Sequence, residues 1–309
     1  MTAKTTMKVR HSTRRSRSEA RAAYAFLIPW IVGMVALVLG PMVASLYLSF
    51  TNYDLFTTPD WIGTRNYSSL VADPRYIQSL KVTFTYVLVS VPLRLAAALG
   101  LALLLNRNMR GMSIYRAILY LPSLLGGSVA VALVWRQLFG REGAINQLLS
   151  LFGIQGANWI AEPDYSLGTI IILAVWQFGS PAIIFLAGLR EIPKELEEAA
   201  QIDGAGKLRV FRSVTLPMLS PIVFFNLVMQ TIVAFQAFTP SYIISKGTGG
   251  PLDSTLFYTL YLYIKGFTEY KMGYASAMAW VLVAIIATFT AVYFISSKRW
   301  VFYAAGDDK

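Results

Sequence analysis

The sequence contains no cysteine and one histidine, His11. Disulfide frameworks, thiol chemistry and clustered Cys/His metal sites are thereby excluded, and no metal ligands are expected. Charge is also scarce, at 14% of 309 residues against 56% hydrophobic. With a positive mean hydropathy of +0.54, this composition excludes an ordinary soluble domain and indicates an all-α polytopic membrane protein. No acid lies deep in an apolar run, and Arg94 is the only charge that does. Internal repeats are not evident, which disfavours secondary transporters built from inverted halves.

Apolar windows long enough to cross about 30 Å of hydrocarbon occur near 22–50, 79–105, 115–139, 167–189, 217–245 and 274–297, so about six transmembrane helices are expected. Residues 1–21 form a basic tail with seven Lys/Arg and one acid, expected to be disordered; 22–298 form the membrane domain and 299–309 a short tail. A cleaved signal peptide is disfavoured because the run from Ala22 to Phe50 is about twice the usual apolar length. With the N-terminus inside, 18 Lys/Arg fall on the inner side and 8 on the outer. The positive-inside rule then places both termini in the cytoplasm of a multi-pass protein. The net charge of +11 is thus topological, with contact to anionic lipid rather than nucleic acid.

Prolines 29, 41, 92, 122, 181, 221 and 240 lie within or at the ends of the first five windows and are expected to kink them. Between windows four and five lies a polar island, 190–216, expected to face the cytoplasm. It carries Glu191, Glu195, Glu197, Glu198 and Asp203 within thirteen residues. Pro193 suits a helix start and Gly204 a helix stop, so a short helix is expected from about Pro193 to Asp203. About ten residues are marginal alone and must be stabilised by packing. Two readings fit: an amphipathic connector against the protein's own helix ends, or a helix with a small Ala199/Ala200 face that sits in a partner's groove.

The spacing Glu198-Ala199-Ala200, three residues, Gly204, nine residues, Val214, one residue, Leu216-Pro217 resembles the EAA signature of ABC importer permeases, with Val214 where isoleucine is usual. Trp61-Ile62-Gly63-Thr64-Arg65-Asn66-Tyr67, Leu121-Pro122 and Thr248-Gly249-Gly250-Pro251 also resemble stretches of that family's sugar-type, maltose-permease-like branch. The resemblance runs from Tyr24 to Trp300 and implies the type I ABC importer permease fold in a prokaryotic inner membrane. It implies that 190–216 is the coupling-helix loop, docking on a cytoplasmic ABC ATPase dimer, with Glu198 paired to a basic residue there and Gly204 permitting the turn. It further implies a second homologous permease subunit and an extracytoplasmic sugar-binding protein. ATP and Mg would then sit on the partner ATPase. The chain is not expected to be an enzyme or to bind a cofactor, since Gly204-Ala205-Gly206-Lys207-Leu208 departs from a phosphate loop at Gln201 and Leu208.

A sugar route calls for uncharged polar and aromatic side chains at mid-span. Trp176, Gln177 and Ser180 share one face of span four at helical spacing; Asn226, Gln230 and Gln236 fall within about 120° on span five, with Phe235 and Phe238 beside them. Ser276 and Trp280 are one turn apart on span six. For each, interhelical hydrogen bonding is the competing reading. Arg94 is expected to pair with carbonyls or to lie near the cytoplasmic end. Competing functions are an ion-coupled secondary transporter and a polytopic enzyme, the latter requiring paired carboxylates at the membrane edge. The branch resemblance favours an oligosaccharide as solute, with a polyol or sugar phosphate next.

Overall fold

The computed structural model describes the backbone of residues 13–106 and 112–302. Residues 1–12 and 303–309 of the two tails, and 107–111 of the basic loop, lie outside the described residues. The helix α1 (Thr13–Gly33) begins inside the basic stretch that was expected to be disordered. It continues through a π-helical segment (Met34–Leu39) into α2 (Gly40–Leu48). Pro41 explains the change of register: it lacks an N–H, and the Gly40 N–H reaches back five residues to the Val35 carbonyl. No residue in the most apolar stretch of this first span is buried within the chain.

A two-residue hairpin follows, β1 (Thr51–Asn52) pairing antiparallel with β2 (Asp60–Trp61). The Trp61-to-Tyr67 stretch clamps it to the first span. The Asn66 amide donates to the Ser49 and Thr51 carbonyls, both at 2.9 Å, and the Tyr67 and Ser49 hydroxyls are 2.8 Å apart. After α3 (Arg65–Ala72), Asp73 caps α4 (Pro74–Leu105) by accepting from the Arg75 and Tyr76 N–H groups. At 32 residues, or about 48 Å, α4 is the axis of the bundle. Its buried positions Val87, Val91, Leu95, Ala98 and Ala102 recur at helical spacing and face the later spans.

The third window, expected to be one helix, is broken into α5 (Met112–Leu125) and α6 (Val129–Leu138), which meet at 102°. Gly126 and Gly127 end the first piece, and the Ser128 hydroxyl caps the second by accepting from the Val131 N–H. After α7 (Ala144–Ser150), the fourth span is also in two pieces, α8 (Pro163–Trp176) and α9 (Gly179–Glu191). Then come α10 (Lys194–Ile202), α11 (Lys207–Val210) and a second π-helical segment (Phe211–Thr215). That segment leads into α12 (Leu216–Phe235) and α13 (Thr239–Ile244). Here too a proline sits just after the slip: the Leu216 N–H bonds the Phe211 carbonyl ahead of Pro217. The Gly-rich turn leads to α14 (Tyr258–Tyr263), and α15 (Met272–Ser297) closes the bundle. Gly273 is obligatory, because a Cβ there would lie 2.1 Å from the Thr51 carbonyl oxygen. Among the described residues, five helices, or six counting the bent pair, are long and apolar enough to cross a membrane.

Candidate functional site

The polar island is built as its sequence dictates. Ile192 and Pro193 are extended, with ψ of 123° and 128°, which separates α10 from α9. Glu195 and Glu197 occupy the first turn, where carboxylates complement the helix dipole. Gly204, at φ +81°, turns the chain out of the helix. Its N–H bonds the Gln201 carbonyl at 3.0 Å, and the Ala205 N–H bonds the Ala200 carbonyl at 2.9 Å, a complete Schellman cap.

What α10 lacks is a covered face. None of its residues is buried, Glu198 and Ala199 are exposed, Ala200 is half-buried, and Ile202 is 86% exposed. Among the described residues, one side-chain bond ties it to the bundle: the Thr215 hydroxyl donates to Glu197 Oε1 at 3.2 Å. Thr215 immediately precedes Leu216 and Pro217, so displacement of α10 acts at the start of α12.

About 21 Å along α12 from Leu216, at 1.5 Å per residue, Gln230 lines a cavity of about 290 Å³. The cavity sits where three spans are broken or capped. Tyr86, Ser90 and Arg94 of α4 form one wall, Gly126 and Gly127 the α5–α6 bend, and Gln177 the α8–α9 break. Gln230, Gln236 and the Phe238–Pro240 turn complete it. Gly126 lets the Gln177 side chain lie close against the bend, since a Cβ there would stand 2.7 Å from it and oblige the glutamine to move.

Proline chemistry explains Arg94. Pro181 lies four residues beyond Gln177 and has no N–H to give to the Gln177 carbonyl. Arg94 takes its place, donating from Nη2 at 2.7 Å and from Nε at 3.1 Å. Of the two expectations for this residue, pairing with a carbonyl is the one observed.

Of the seven candidate route residues, the cavity brings together Gln177, Gln230 and Gln236. Trp176 ends α8 and its ring lies against Trp135, 5.7 Å between centroids. Ser180 is exposed on α9, and the break at Gln177 removes the continuous face that spacing implied for these three. Asn226 is fully buried, and its amide donates to the Ile222 carbonyl. The Trp280 indole donates to the Ser45 hydroxyl at 3.2 Å, tying α15 to α2. Among the described residues, Asn226 Oδ1 and Gln230 Oε1 are buried acceptors without a partner. Tyr86, Ser90 and Thr239 had not been singled out in the sequence; the signals were Pro181 and the Gly126-Gly127 pair.

At the end of the bundle opposite α10 lies a wider cavity, about 930 Å³, between the α6–α7 turn and the Gly-rich loop. At the start of α4, Asp73 accepts from the Tyr261 and Tyr274 hydroxyls, joining α4, α14 and α15, and Arg75 pairs with Asp253 at 2.7 Å. Burial works to raise the Asp73 pKa, but the bonds from Tyr261, Tyr274 and the Tyr76 N–H, with the Lys265 charge, hold it below the ordinary carboxylate value.

Residues 83–301 match the family described as "Binding-protein-dependent transport system inner membrane component". The "Probable ABC transporter permease protein YesP" of Bacillus subtilis is 54% identical over 96% of both chains. The "Sulfoquinovosyl glycerol transport system permease protein SmoG" of Agrobacterium fabrum is 34% identical over 88% of both. A solved bacterial alginate ABC transporter, in complex with alginate pentasaccharide-bound periplasmic protein, contains a chain of the same fold. It has a TM-score of 0.74 and 20% identity, covering 93% of this chain and 97% of that one.

Proposed function

The chain belongs to the binding-protein-dependent transport system inner membrane components, as a permease subunit of a sugar-type ABC importer, and from that premise we propose how its two sites work. The helix α10 is the coupling helix of an ATP-driven cycle. It faces the cytoplasm with both termini, a placement supported by the 18-to-8 division of Lys/Arg between the sides. An ABC ATPase dimer holding ATP and Mg receives it, with Glu198 paired to a basic residue and Ile202 seated in the cleft. Closure of the ATPases moves α10, Thr215 and the start of α12, and so moves Gln230 in the cavity wall. A second homologous permease supplies the facing wall of the route, and an extracytoplasmic sugar-binding protein delivers the solute. The solute is a carbohydrate, and an oligosaccharide fits the relatives; the amides of Gln177, Gln230 and Gln236 are suited to sugar hydroxyls.

One observation carries this reading: a nine-residue helix, capped at its C-terminal end, with no buried residue and a largely exposed isoleucine. Such a helix needs a partner to order it. The test is ATP-dependent uptake in membranes carrying the whole importer. Glu198→Gln is expected to reduce uptake about 10-fold, the equivalent of one lost charge-assisted bond, at unchanged subunit abundance. Full uptake by that variant, or uptake that survives ATP depletion and collapses with an ion gradient, would overturn the assignment.

A further inference from the structure

Arg94 presents more than its carbonyl bond requires. A guanidinium carries five N–H donors, and Gln177 takes two of them. The remaining donors belong to a side chain that lines the mid-bundle cavity, and among the described residues that cavity has no Asp or Glu in its wall. No carboxylate among the described residues pairs with Arg94 either. A permanent cation placed in the span interior without a counter-charge is an arrangement that a passing anion would complete.

The wider cavity on the opposite end repeats the pattern independently. Arg136, Arg141 and Lys246 line it against a single acid, Glu142. The two cavities share α13 as a wall. The short helix α13 contributes Thr239 and Pro240 to the inner one and Ile244 to the outer one, and Arg136 of α6 bonds the Ile243 carbonyl between them at 3.1 Å. The cavity at the outer end of α13 thus has three cations in its wall and the one at its inner end has one.

The amides set the rest of the chemistry. Gln177, Gln230 and Gln236 in the inner wall supply neutral amide donors and acceptors suited to hydroxyl groups. A hydroxylated ring that also bears a carboxylate satisfies both halves of the site. Resting on the importer reading above, we infer that the solute is an acidic saccharide, an oligosaccharide containing uronate units, and that Arg94 holds its carboxylate by the free edge of the guanidinium.

The experiment is ATP-dependent uptake by the complete importer with its binding protein. The probes are short oligomers of galacturonate, glucuronate and mannuronate, each beside its methyl ester, which keeps the hydroxyls and removes the charge, and neutral di- and trisaccharides. Uptake of at least one acidic oligomer is expected to exceed that of its ester by about 10-fold or more, consistent with a charged hydrogen bond. Arg94→Gln should lower the ratio of acid to ester uptake by about 10-fold, over and above any loss common to both solutes from the broken Gln177 bonds, and Arg94→Lys should keep part of the preference. Arg141→Gln, at an exposed position whose side chain makes no hydrogen bond or ion pair among the described residues, should slow uptake of the acid a few-fold more than that of the ester. Esters or neutral saccharides carried as well as the acids would overturn the inference and leave the carbohydrate reading standing. A preference for acids that persists unchanged in both Gln variants would also overturn it, placing the selectivity outside this chain. Uptake of no saccharide at all would overturn the importer reading itself.

Discussion

Replacing Gly204 by alanine adds one methyl group at a point where the structure leaves room for it, since nothing lies within 4 Å of the Cβ position. The penalty is therefore conformational. At φ +81° an L-residue pays for the left-handed region, about 1–2 kcal/mol for alanine. The Schellman bonds from Gly204 and Ala205 to the last turn of α10 depend on that conformation. A nine-residue helix has little intrinsic stability to absorb the loss, so the population of correctly ended α10 should fall about 5- to 30-fold. Uptake by the whole importer in proteoliposomes should fall by a similar factor, with insertion and abundance unchanged. Asparagine discriminates the cause. It is larger than alanine yet tolerates the left-handed region better, so Gly204→Asn should recover much of the loss. If Asn is worse than Ala, the glycine is required for close approach by the docking partner and not for the turn. If Ala transports normally, the capping argument fails.

Asn66→Ala removes two bonds and strands the Ser49 and Thr51 carbonyls. A loss of about 2 kcal/mol is expected, read as a fall of several degrees in the unfolding midpoint in detergent. A midpoint unchanged in that variant would show that the hairpin clamp is dispensable. Asp73 supplies a pH dependence. Its folded pKa lies below the ordinary 3.8, so its contribution to stability is present above that value and is lost as pH falls through the lower folded one. The detergent-solubilised subunit should destabilise on the acid side of about pH 4, and Asp73→Asn should flatten that part of the profile.

The polar island was legible because its boundaries are local. Pro193 and Gly204 each act on their own residue's backbone, and the ends of α10 follow within one residue. The spans were legible as apolar runs but not as continuous or broken. Between Met112 and Leu138 the apolar run hid a turn, although Gly126-Gly127-Ser128 combines a helix stop with an N-cap. The face shared by Trp176, Gln177 and Ser180 presumed one helix, and the break after Trp176 sends Gln177 to the cavity and Ser180 outward. Pro181 was read as a kink. That its missing donor would be supplied by Arg94, 83 residues away from Gln177, is a tertiary fact with no local trace. Trp280 illustrates the ambiguity of polar residues in spans: its indole finds Ser45 of the first span.

The openness of α10 also has a consequence for how tightly anything can grip it. A nine-residue helix is marginal by itself, so a docking partner that holds it in place uses part of the contact free energy to do so, and the affinity is lower by that amount. The contact can therefore be highly selective, through Ile202, Glu198 and the shape set by Gly204, while remaining weak enough to be broken and remade on every turnover. A longer or better buried helix would hold its partner more firmly and would release it more slowly.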